Sequence, residues 1–157
     1  MSTYDWLLFL HITGAFLLLG GGVVAGALNI AALRRNRPSE IVLLFALIRV
    51  AVASIMIGTL LAFVFGLWLV HEVGYGYGDG WVIAATVLLV LANAMGAIGG
   101  RREEQTATYA ADLAAGGDEP SADLKRRLRD PVSLALSYGS GLVLVAILAI
   151  MIWKPGA

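Results

Sequence analysis

Cysteine is absent from this 157-residue chain, which excludes disulfides, thiolate metal sites and cysteine nucleophiles together. Charge is scarce too: 14% of residues are charged against 59% hydrophobic, with a mean hydropathy of +0.83. A soluble domain carries about a quarter charged residues. No acidic residue falls at the centre of a long apolar run, which argues against a proton-coupled carrier built on a carboxylate relay. A Walker loop, an HExxH helix, a nucleophile elbow and a GxGxxG turn on a strand are all missing. The basic loops carry no nucleic-acid-binding motif, so no nucleic acid is expected as a partner. The opening Met1–Asp5 has no basic stretch, so the first apolar segment is expected to remain as a helix rather than be cleaved as a signal peptide.

What the chain does have is four long apolar segments, about 6–33, 41–70, 81–100 and 132–153. The first would be roughly 42 Å long as a helix, more than a ~30 Å hydrocarbon core. Val50–Val70 is enough to span alone, so Ile41–Ile48 reads as a helical extension at the membrane surface, with Arg49 reaching headgroups. The third segment continues through an alanine-rich stretch to about 115, where Gly116-Gly117 should end it. Asp130-Pro131 is an N-cap acceptor followed by a proline at the first helical position. No segment alternates in polarity, and an open strand would leave backbone groups unpaired in lipid. The expected fold is therefore an all-α, four-helix transmembrane bundle of up-down topology in one domain.

Basic residues decide the expected orientation. Loop 34–40 carries three arginines, and loop 101–131 carries Arg101, Arg102, Lys125, Arg126, Arg127 and Arg129. Loop 71–80 has no lysine or arginine. The asymmetry places both basic loops in the cytoplasm and both termini outside a plasma (inner) membrane. Trp6, Trp81 and Trp153 then share the outer interface, which indole favours. Within loop 101–131, Asp118–Ser121 reads as a fresh helix start, and Leu124 and Leu128 form a short stripe over basic neighbours that could lie on anionic lipid headgroups, against the plainer and preferred reading of stop-transfer charge with no specific ligand. The glycine- and tyrosine-rich Gly74–Gly80 reads as a flexible outer turn.

Small residues recur at four-residue spacing: Gly22 and Gly26 in the first helix, Ala92, Gly96 and Gly100 in the third, Ser133, Ser137 and Gly141 in the fourth. Such stripes let helices approach closely in lipid, within one chain or across a homo-oligomer or membrane partner. Asn29, Arg49 and Asn93 read as interhelical hydrogen-bonding residues, with Asn29 and Arg49 near enough in depth to pair. His11 lies about one and a half turns inside the first helix, and His71 ends the second on the same side. Two imidazoles from adjacent helices can hold a b-type haem or contribute to a metal site. Against that stands interhelical hydrogen bonding for His11 and plain interfacial exposure for His71. No residue is assigned a catalytic role.

The first helix reads Leu7-x-x-Leu10-His11-x-x-Gly14-Ala15, and Gly80-Trp81 opens the third. These features resemble bacterial four-helix membrane families of unknown function, described as predicted integral membrane proteins. Those are distantly similar to the copper-resistance membrane domain and the membrane protoporphyrinogen oxidase. The resemblance implies His11 as a haem-linked position. The lysine the oxidase family carries after this aromatic start has no counterpart in Val82–Thr86, and Met56, Met95 and Met151 are scattered rather than clustered as copper transport would need. The chain therefore reads first as a non-catalytic accessory, assembly or structural membrane component. The alternative is a haem b- or metal-binding redox protein using His11 and His71.

Overall fold

In a computed structural model, which describes residues 2–155, five helices run in the order α1 (Thr3–Leu33), α2 (Pro38–Val73), α3 (Gly80–Ala115), α4 (Ala122–Leu128) and α5 (Pro131–Trp153). All but α4 are long and apolar enough to cross a membrane. Met1, Gly156 and Ala157 lie outside the described residues.

The helix ends follow local chemistry. Ser2 and Asp5 form a reciprocal capping box at the start of α1. Gly74, at φ 86°, takes the left-handed conformation that closes α2. Gly116 caps α3 and Gly117, at φ 135°, turns the chain away from it. Asp130 Oδ2 accepts from Ser133 N at 3.1 Å, and Pro131 opens α5.

The long helices pack as two antiparallel pairs, α1 with α2 and α3 with α5. Gly14 and Gly58 bring the first pair into backbone contact. A Cβ at Gly14 would come within 2.9 Å of Gly58 O, and one at Gly58 within 2.7 Å of Gly14 O. Gly21 repeats the contact seven residues on, against Ala51 O at 2.9 Å. Large apolar side chains such as Phe16, Val50 and Leu142 lie on the outer surface. A helix that is apolar on its outer face has lipid as its solvent, and small residues then do the work of bringing helices together.

The two pairs are tied at the end where the basic residues lie. There α2 and α3, each about 54 Å long, outrun a ~30 Å hydrocarbon core. Ala32, Ile41, Phe45, Ile48, Ala107 and Ala110 form a buried cluster, closed by Leu124 and Leu128 of α4. This corrects one expectation. The stripe of α4 faces protein rather than headgroups, since Leu124 is 0% exposed. The Ile41–Ile48 extension turns Ile41, Phe45 and Ile48 into this cluster and leaves Leu43 and Leu47 exposed. The reason is that apolar faces at the helix ends, which water would otherwise wet, bury one another.

Candidate functional site

At the opposite end Val70 of α2 packs against Trp81 and Val82 of α3, with Ile150 and Met151 of α5 beside them. Between α1, α2, α3 and α5 lies a cavity of about 420 Å³, within the size range of ligand sites. Its wall is mostly aliphatic, and six residues with polar groups line it: His11, Thr86, and, nearer the helix ends, Tyr4, Tyr75, Trp81 and Lys154.

His11 is held by α2. Its Nδ1 lies 2.8 Å from the carbonyl oxygen of Ala62. A carbonyl can only accept, so Nδ1 carries the proton and donates. In the neutral form of the ring the lone pair is then on Nε2, which finds no protein partner among the described residues. The ring can take this position because residue 66 has no side chain: a Cβ there would meet Nδ1 at 2.8 Å and Cε1 at 2.9 Å. Histidine in this tautomer, its second nitrogen open, can accept a hydrogen bond or ligate a metal.

The mouth is built around Trp81, only 4% exposed. Its Nε1 is buried without an acceptor. Tyr75 meets the indole edge-on at 5.3 Å between ring centroids. The ammonium of Lys154 lies 4.8 Å from the centroid of Tyr75 and 5.5 Å from that of Trp81. Among the described residues no carboxylate pairs with Lys154; its nearest polar partner is Tyr75 Oη at 3.4 Å.

His71 is not among the residues that line the cavity. It is exposed and stacked parallel to Tyr77, with 6.5 Å between ring centroids. The two histidines share an end of the bundle without sharing a site.

The polar residues elsewhere pair differently from expectation. Asn29 and Arg49 do not meet. Asn29 Nδ2 donates to Glu103 Oε1 at 2.8 Å, and Ser137 Oγ donates to the same oxygen at 2.9 Å, so one carboxylate links α1, α3 and α5. Arg49 instead pairs with Glu104 at 2.7 Å. Asn93 donates to Leu89 O of its own helix and is exposed, so among the described residues it bridges no pair of helices. Glu103 and Glu104 escape a reading of loop 101–131 by its basic charge. Helical spacing could have found Glu103, since Gly99, Glu103, Thr106 and Ala110 recur on one face of α3 and three of the four are buried.

Among the small-residue stripes, Ala92 is buried and Ser137 bridges helices. A Cβ at Gly22, Gly26, Gly96, Gly100 or Gly141 would meet nothing within 4 Å. The contacts fall one position earlier, tight at Gly21 and of ordinary van der Waals distance at Gly99, because one residue is a turn of about 100° around a helix.

Four apolar spans and this arrangement agree with a family model described as "Predicted integral membrane protein (DUF2269)", which matches residues 5–155. The chain belongs to this family. No curated protein and no solved structure matches the chain. Family membership brings the membrane location and no assigned chemistry.

Proposed function

We propose that this member of the family holds an apolar, membrane-soluble ligand in the cavity beside His11, as a binding or accessory component rather than a catalyst. The observation that carries the reading is the state of His11: Nδ1 is spent on Ala62 O, Nε2 is open, and the surrounding wall is aliphatic. A site with a few polar handles in an apolar wall selects a ligand that is itself mostly apolar. Native mass spectrometry of protein released from mild detergent is the direct test. A bound small molecule that departs in His11→Ala and in the cavity-filling Thr86→Phe supports the reading. Protein that carries none in any preparation overturns it.

A haem- or metal-binding redox protein is the second reading. The open Nε2 favours it, while His71 lies off the cavity, so a haem beside His11 would take at most one imidazole from these two residues. A Soret band lost in His11→Ala would establish haem binding, and colourless, metal-free protein would dismiss this alternative.

The arginine asymmetry supports loops 34–40 and 101–131 in the cytoplasm, with the cavity mouth at the outer face of a plasma membrane. The chain lacks cysteine, so single thiols placed at Arg35 and Glu119 report sidedness directly; labelling from outside would reverse the orientation. Gly22, Gly26, Gly96, Gly100 and Gly141 leave room for a partner helix or a second copy, in keeping with an accessory role.

A further inference from the structure

The cavity has two polar levels with opposite preferences. At the mouth, Lys154 supplies a positive charge that lies over two aromatic rings and has no carboxylate partner among the described residues. Beside it, the indole N–H of Trp81 is buried with no acceptor. An unmatched buried donor is costly, and an incoming acceptor can satisfy it once the indole turns slightly toward it. Seven residues along α1 from Tyr4, about 10 Å further in, His11 presents a lone pair. A lone pair repels an anion, and the aliphatic wall around it repels one more strongly.

We propose that the ligand is a long-chain amphiphile with an anionic head, the head seated at Lys154 and Trp81 and the chain running inward past His11. Charge decides the polarity of insertion. Lys154 attracts a carboxylate or phosphate at the mouth, and His11 Nε2 and the apolar wall reject the same group at depth. The inference rests on the reading of the cavity as a ligand site and adds the class and direction of its occupant.

Trp81 also provides the readout. Trp6→Phe, Trp68→Phe and Trp153→Phe leave it as the sole indole of the chain. Quenching of its fluorescence is followed with 5-doxyl-stearate at pH 8 and with the neutral methyl ester of the same probe. The two are compared at matched mole fraction in one detergent, and circular dichroism confirms the fold. The acid is expected to quench at about five-fold lower mole fraction than the ester, and Lys154→Gln is expected to abolish the difference. If acid and ester quench alike in both proteins, the anionic head is wrong while the cavity remains a site for apolar chains. If neither probe quenches beyond its effect on free tryptophan in the same micelles, the ligand-site reading falls with it. The native mass spectra separate the sources, since a bound fatty acid and a bound phospholipid differ in mass and in fragment ions.

Discussion

The imidazole of His11 rests on Gly66 of the neighbouring helix, where a Cβ would come within 2.8 Å of Nδ1. The contact is with a side chain that can move, so a methyl group at residue 66 displaces the ring rather than the helix. Gly66→Ala is expected to break the bond to Ala62 O at a cost of about 1 kcal/mol. Helicity should survive, and occupancy of the cavity should fall as it does in His11→Ala. Wild-type occupancy by native mass spectrometry in Gly66→Ala would show that the position of the ring is irrelevant to binding.

Glu103 joins three helices through one oxygen atom. Removing it strands Asn29, which is 9% exposed, as an unpaired polar group. Glu103→Ala should therefore destabilise the bundle by about 1–3 kcal/mol. Ser137→Ala, which deletes a donor and leaves the acceptor otherwise satisfied, should cost about 0.6 kcal/mol. Glu103→Gln keeps a carbonyl oxygen and should fall between them. Unfolding in mixed detergent micelles ranks the three, and equal stability of Glu103→Ala and wild type would refute the bridge.

Leu124 seals the cluster at the basic end. Leu124→Ala removes a fully buried side chain, a change that costs about 2–5 kcal/mol where the site does not collapse. Here the loss should be local, because α4 is tied to the bundle chiefly through Leu124 and Leu128. Hydrogen exchange should quicken across residues 116–130 and stay unchanged at the cavity end. Unaltered protection of α4 would mean that its leucines do not anchor it.

A pH effect is expected in the same region. Asp118 accepts from Ser39 Oγ and from Ser39 N, both at 2.7 Å, joining the start of α2 to the turn after α3. The Ser39 hydroxyl first, then the Ser39 amide and the nearby Arg37, hold its carboxyl below the ordinary value of 3.8. A carboxyl lowered on folding contributes stability above 3.8 that is lost as pH falls through its folded value. Proteolysis of the 116–121 turn should accelerate below that pH in the wild type. In Ser39→Ala it should be faster already at neutral pH and less sensitive to acid. Identical profiles for the two proteins would rule out the link.

Much of this architecture was legible in the chain itself. The four spans, the stop at Gly116-Gly117, the cap at Asp130 and the extension of α3 follow from hydropathy, helix length and capping chemistry. Those properties belong to each segment separately, in relation to lipid or to its own backbone. Which faces meet is a property of pairs. Helices that are apolar nearly all round give no sign of which side turns inward, and a shift of one residue moves a side chain by about 100°. Only tertiary structure could choose Gly21 over Gly22, send Asn29 and Arg49 to separate carboxylates, turn α4 inward, and set His11 against Gly66 while leaving His71 on the surface beside Tyr77.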